Sequence, residues 1–254
     1  MYTRWLNILL MAALLWLSAC GKDTSIEDPG YRLRIRVVPM IDGFPLQRGV
    51  DQSNSWGEAF RTDVFRIYLG GFALLDEGTD PVSDHPDTYH LLDVFDSASM
   101  SINIHGNGTP FRRLRLQIGI DSIRNVSGAQ TGSLDPLLGM FWTWQTGYIH
   151  AKFEGSSPAS TRPDKRFTYH IGGFRQGQDT KRILLLDLPV NKAWSLERSG
   201  LTEITLHMDI GAWFRSEHDL PISAQAQVMQ PGLLAVQYAD NYARMFSLES
   251  IERR

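Results

Sequence analysis

Seven histidines and one cysteine carry most of the chemistry open to this 254-residue chain. The histidines are His85, His90, His105, His150, His170, His207 and His218. Neutral imidazole suits copper or zinc, so the useful question is which of these rings share a surface. In Gly147-Tyr148-Ile149-His150-Ala151-Lys152-Phe153, the residues Ile149, Ala151 and Phe153 suit a core. Strand alternation then turns Tyr148, His150 and Lys152 to the opposite face. The same reasoning in Phe167-Thr168-Tyr169-His170-Ile171 turns His170 away from Phe167, Tyr169 and Ile171. If the two strands pair as a hairpin across the loop from Gly155 to Lys165, His150 and His170 stand on one face, close enough to share a ligand. They are the candidate metal ligands, weighed against two surface histidines that bind nothing. His207, with Thr205 and Asp209, faces away from the stripe Ile204, Leu206, Met208 and Ile210. His85 and His218, each flanked by acidic residues, are expected in polar turns.

Cys20 leaves no thiolate for such a site if it is spent on lipid. Arg4 precedes an apolar run from Leu6 to Leu17, too short to span a bilayer comfortably but suited to an export signal. Leu17-Ser18-Ala19-Cys20 then resembles a bacterial lipobox. This reading makes residues 1–19 a lipoprotein signal peptide, Cys20 the lipidated first mature residue and residues 20–30 a polar tether. Gly21 stands where an aspartate would favour retention at the inner membrane, so the expected location is the outer membrane of the cell envelope, on its periplasmic or surface leaflet. With no second cysteine, no disulfide is available, and any metal must be held by His, Met, carboxylate or modified side chains. Met140, Met208, Met229 and Met245 are scattered, unlike a methionine-rich copper site.

The chain shows no other catalytic signature. It has no Gly-rich phosphate loop after a strand, no His-Glu-x-x-His and no Gly-x-Ser-x-Gly, so an enzyme is not indicated. The formal net charge of −3 provides no broad basic field, which sets nucleic acid aside. Trp142 and Trp144, two apart in Met140-Phe141-Trp142-Thr143-Trp144-Gln145, share a face if extended. Packing is their first expected use, and oxidation or ligand stacking is the sharper one.

These residues must be positioned by short strands. Arg32-Leu33-Arg34-Ile35-Arg36-Val37 alternates strictly, and similar runs occur at Val64 to Leu75, Phe111 to Ile120, Gly147 to Phe153, Phe167 to Ile171, Arg182 to Leu188 and Glu203 to Ile210. Asp42-Gly43, Glu77-Gly78, Asn107-Gly108 and Gly172-Gly173 mark turns between them. The pattern predicts an all-β fold, an antiparallel, Greek-key-like β-sandwich formed as one domain over residues 31–254. A few short helices are expected, starting at Trp56 to Arg61, at Ala212 to Ser216 and over Ala235 to Phe246, where Val236, Ala239, Ala243 and Phe246 fall near helical spacing.

Several runs taken together resemble the MbnP-like family of periplasmic proteins linked to bacterial copper handling. Leu116-Gln117-Ile118-Gly119-Ile120 with Asn125, the turn Leu134-Asp135-Pro136, the run Met140 to Tyr148 and the element Phe167 to Gly172 match its motifs in order and spacing. Phe65-Arg66-Ile67-Tyr68-Leu69 and Tyr89-His90-Leu91-Leu92-Asp93 look like its early strands, and the similarity runs from about Tyr31 to Ser250. The resemblance implies a periplasm-facing β-sandwich that binds copper. Relatives hold Cu(I) with two histidines and a kynurenine, made from tryptophan by a partner dihaem peroxidase. Here the four cysteines of one large branch are lacking, and only His170 lies in a matched motif. The resulting expectation is a lipid-anchored, non-catalytic copper-binding protein for copper acquisition or homeostasis. Its metal ligands would be His150 and His170, with Trp142 and Trp144 as the candidate modified or aromatic site. The alternative is an envelope module that binds glycans or proteins through exposed Trp56, Trp194 or Trp213.

Overall fold

The computed structural model describes residues 30–142, 147–189 and 193–254. The apolar leader, Cys20 and Trp144 lie outside them. In chain order the strands are β1 (Arg32–Ile41), β2 (Phe44–Pro45), β3 (Gln52–Ser53), β4 (Ala59–Leu75), β5 (Pro81–Asp93), β6 (Ser101–His105) and β7 (Arg113–Ile118). After helix α1 (Ser122–Val126) and two single 3₁₀ turns come β8 (Phe141–Trp142), β9 (Gly147–Tyr148), β10 (Ala151–Ser156), β11 (Arg166–Ile171), β12 (Arg182–Asp187) and β13 (Leu201–Asp209). Helix α2 (Gly211–Phe214), β14 (Gln227–Val228), α3 (Leu233–Ala243) and β15 (Phe246–Arg253) close the chain.

The fold is mostly β with few helices, but its sheets are mixed rather than purely antiparallel. In the first sheet β1 runs parallel to β13 from Arg32↔Leu201 to Met40↔Asp209, β15 adds antiparallel to β13, and β6 and β2 share the other edge of β1. The second sheet has the order β12-β7-β4-β10-β11-β14, with β5 along the far edge of β4 and β14 parallel to β11. Alternation in sequence reports which face a residue takes, not which way its neighbour runs. The parallel β1–β13 pair is possible because nearly the whole second sheet lies between these strands in the chain and serves as the crossover.

Inward residues of both sheets merge into one core. Leu33, Ile35 and Val37 of β1 and Ile204, Leu206 and Met208 of β13 are buried as their alternation requires, against Phe65, Ile67, Phe153 and Phe167 of the second sheet. Trp213 from α2 and Tyr238 from α3 complete this core, and Phe153 stacks on Phe65 at 4.7 Å between ring centroids while meeting Trp213 edge-on at 5.4 Å. On the outer face of the first sheet, Glu203 is buried under the arginine stems of its neighbours. It pairs with Arg34, Arg36 and Arg254 at 3.6, 3.8 and 3.0 Å.

Three local expectations are corrected. The Trp56 to Arg61 segment starts a strand rather than a helix, because the Asn54 side chain accepts from the N–H groups of Trp56 and Glu58 and makes a tight turn just before β4. Helix α3 stops at Ala243 and buries Ala235, Tyr238, Ala239 and Tyr242, one step round from the expected face, since its two tyrosines offer more area to the core than Val236. Phe246 begins β15 instead of ending that helix. Among the described residues no helix is long and apolar enough to cross a membrane.

Candidate metal centre at a fork in the second sheet

One edge of β4 is shared by two strands, and the histidine of interest sits where they part. β10 pairs with β4 over Arg61 to Ile67, and β7 takes over from Leu69 to Leu75. Between them Tyr68 donates its N–H to the carbonyl of His150 at 3.0 Å, while its own carbonyl accepts from Gly119 N–H at 3.0 Å. His150 N–H donates to the Ile171 carbonyl of β11 at 2.6 Å, so its backbone is held from both sides.

Local sequence explains how the chain arrives there. Asp121 caps α1 by accepting from Arg124 N–H, and Asn125, buried in that helix, donates to the carbonyls of Ile120 and Asp121 while accepting the N–H of Tyr148 at 2.9 Å. Asp135 caps the next 3₁₀ turn with Pro136 at its first position, the arrangement the Asp-Pro signal implies. Tyr68 and Tyr148 donate their hydroxyls to the carbonyls of Ser133 and Leu134 at 2.9 and 2.8 Å, which ties this loop over the outer face of the sheet. Tyr68, Tyr89, Ile120, Leu134, Met140, Tyr148 and Ile149 thereby form a second, smaller apolar cluster, with Phe141 and Trp142 against it.

His150 follows directly on that cluster, after Tyr148 and Ile149. The strand expected over Gly147 to Phe153 breaks at Ile149 and His150, and the ring, expected on an open strand face, is 0% exposed. It rests against Gly119, whose φ of +89° favours glycine and whose missing Cβ would lie 2.5 Å from His150 Nδ1. Nδ1 is 2.9 Å from Thr180 Oγ1, while Nε2 is buried and has no hydrogen-bond partner. Burial pulls the imidazole pKa down to about 3, so the ring is neutral at physiological pH.

The hairpin expected between the two histidine segments forms, with the register Ala151↔Ile171 to Ser156↔Arg166. His170 stands opposite Lys152, with Glu154 on a diagonal of the same face, and the paired register begins at Ala151, after His150. It is 9% exposed, and its Nε2–H donates to Glu154 Oε1 at 2.6 Å. That bond holds the Glu154 carboxyl below the usual carboxylate range. Lys152 donates to the Gly139 carbonyl at 2.6 Å, and burial lowers its ammonium pKa. Trp142 reaches the same hairpin: a Cβ on Gly172 would lie 2.8 Å from its Cζ3. Its contacts are those of packing, and Trp144 lies outside the described residues.

The remaining histidines are dispersed. His207 faces outward as expected and meets Glu249 at 2.9 Å. His85 lies within β5 opposite Phe72 rather than in a turn, and His218 pairs with Asp240 at 3.0 Å beside Arg182. His90 is edge-on to Phe72 at 5.9 Å with its Nε2 buried and unpartnered. Among the described residues no group of three or more His, Cys, Asp or Glu is placed to hold a metal ion. Among the described residues Trp56, Trp194 and Trp213 do not form one exposed aromatic surface. Trp213 is wholly inside the core, Trp56 is 39% exposed under the Arg215 guanidinium, and Trp194 lies partly buried under Arg253. Sequence reasoning missed Thr180 and Gly119 as neighbours of His150. Glu154 was readable, because it shares the parity of His150 and Lys152.

Similarity to known proteins agrees with this architecture. A solved structure, MbnP from Methylosinus trichosporium, matches with a TM-score of 0.54 and 16% identity, covering 87% of this chain and 98% of that one, which shows a shared fold. No curated protein matches. The MbnP family model matches residues 31–230, most of the chain, and the protein belongs to the MbnP family.

Proposed function

We propose that this MbnP-family protein binds copper in the bacterial cell envelope, with His150 and His170 as protein ligands, and serves copper acquisition or homeostasis without itself catalysing a reaction. The observation that carries this reading is the unpartnered Nε2 of His150, a buried ring nitrogen with no hydrogen-bond partner on an imidazole that burial keeps neutral. A buried polar atom left bare is costly unless something fills its place. Imidazoles without thiolates suit copper, and His170 supplies a second ring on the strand that pairs with β10 just after His150. Copper would be held by those two rings, and Trp142, against the same hairpin, is the described candidate for an oxidised aromatic beside it; Trp144 is the other. Such a kynurenine would be made by a partner dihaem peroxidase. Lipid on Cys20 would anchor the chain to the membrane, most simply the outer one.

Titration with Cu(I) against a competing chelator tests the site. The full chain is expected to take up one equivalent, and the variant His150→Ala/His170→Ala to lose it. Unchanged binding by the double variant would remove these residues from the site, and no binding by the parent would remove the function. Peptide mass analysis of protein from its native cells reports whether Trp142 or Trp144 has become kynurenine.

A further inference from the structure

We propose that Thr180 and Glu154 are positioning residues that fix opposite tautomers in the two imidazoles, leaving Nε2 of His150 and Nδ1 of His170 as the atoms presented to the metal. The inference rests on the reading of His150 and His170 as a copper pair. A neutral imidazole has one N–H and one lone pair, and the partner of the first decides where the second lies.

For His170 the assignment follows from the acceptor. An ionised carboxylate only accepts, so the 2.6 Å contact with Glu154 Oε1 places a proton on Nε2, and in the neutral ring the lone pair is then on Nδ1. For His150 the partner is a hydroxyl with a single proton. Thr180 Oγ1 lies 2.9 Å from Nδ1 and 3.3 Å from the Gly173 carbonyl, and with its proton assigned to that carbonyl its oxygen accepts from His150 Nδ1–H. The lone pair of His150 is then on Nε2, the atom without a partner.

Thr180 is fully buried and cannot swing aside. Its N–H donates to the Gly173 carbonyl at 3.1 Å, and its own carbonyl accepts the hydroxyl of Tyr242 from α3. Gly119 closes the ring's other side. The two anchors differ in kind, a neutral hydroxyl on the buried ring and a carboxylate on the rim ring. A carboxylate behind a ligating imidazole raises its basicity more than a hydroxyl does. His170 is therefore the stronger donor of the two and His150 the more rigidly placed one.

The test is ¹⁵N NMR of histidine-labelled full chain without metal, followed by Cu(I) titration. The parent is expected to show His150 as the Nδ1–H form and His170 as the Nε2–H form. Thr180→Val should move His150 toward Nε2–H and weaken Cu(I) binding about 10–100-fold, the range for loss of such a partner. Thr180→Ser should restore both. Glu154→Leu should release His170 toward Nδ1–H and weaken binding likewise, and Glu154→Gln, whose amide oxygen still accepts, should keep the tautomer. An Nε2–H form for His150 in the parent would overturn the proposal, as would tautomers indifferent to Thr180→Val and Glu154→Leu. If the parent binds no Cu(I) while the tautomers respond as stated, the assignment of both anchors stands and only the copper reading falls.

Discussion

The two faces of the second sheet carry apolar clusters of different make-up. The inner one centres on phenylalanine rings, with Phe60 and Phe167 edge-on to Phe153, Phe65 stacked on it and Trp213 edge-on to it; Tyr169, Tyr238 and Tyr242 stand toward α3, and the cluster joins both sheets. The outer one is built from Tyr68, Tyr89 and Tyr148, each of which spends its hydroxyl on a named acceptor: the carbonyls of Ser133 and Leu134 and the carboxylate of Asp121. Phenyl rings bury area and ask for nothing else, so they suit a core whose task is cohesion. Tyrosines bury almost as much and also fix the backbone they bond to, so they suit a loop that must be held over the outer face of the sheet. One cluster joins the two sheets, and the other fixes the segment that leads into His150.

The sharpest way to break this division is to damage each cluster in turn. Phe153→Ala removes a ring that packs against β4, β11 and α2, and should cost about 3–5 kcal/mol of unfolding free energy in urea titration. Copper affinity measured well below the lowered melting temperature should stay within a fewfold of the parent. Gly119→Ala should do the reverse in kind. A side chain at φ +89° costs roughly 1–3 kcal/mol of backbone strain, and the added Cβ needs the space of the His150 ring. We expect a loss near the top of that range together with loss of Cu(I) binding. If Gly119→Ala bound copper normally, the ring would not be held where the fork places it.

The inner cluster was legible in the sequence, and the outer one only in part. Alternation placed Leu33, Ile35 and Val37 of β1 and the β10–β11 hairpin, because parity depends on local backbone geometry alone. The parallel β1–β13 pair was not readable, since direction is set by which distant strand arrives. β15 was missed because Glu249 and Ser250 interrupt its apolar residues, leaving Phe246 and Ile251 as its buried pair. Parity also put His150 outside, and the error is instructive. The strand breaks at Ile149 and His150, and the ring is buried against Gly119 and Thr180 instead. Thr180 carries no signal at all, being an ordinary turn residue until the fold brings it beside an imidazole.

Acid should separate the clusters by a smaller but cleaner effect. The folded His150 pKa of about 3 lies below the ordinary 6.5, so below pH 6.5 the unfolded chain binds a proton that the folded ring refuses. The stability tied to this residue is therefore complete above pH 6.5 and declines as the pH falls toward 3, with a loss of about 2 kcal/mol at pH 5 at ~1.4 kcal/mol per pH unit. Urea unfolding at pH 7.5 and pH 5 reads it directly. The parent should lose about that much more between the two pH values than His150→Gln, which cannot titrate in this window. Phe153→Ala, although less stable at both, should keep the parent's full pH dependence, because the inner cluster contains no histidine. Equal slopes for the parent and His150→Gln would mean that water and a proton reach the ring. A ring so exposed would lose the bare, dry lone pair on which its use as a copper ligand depends.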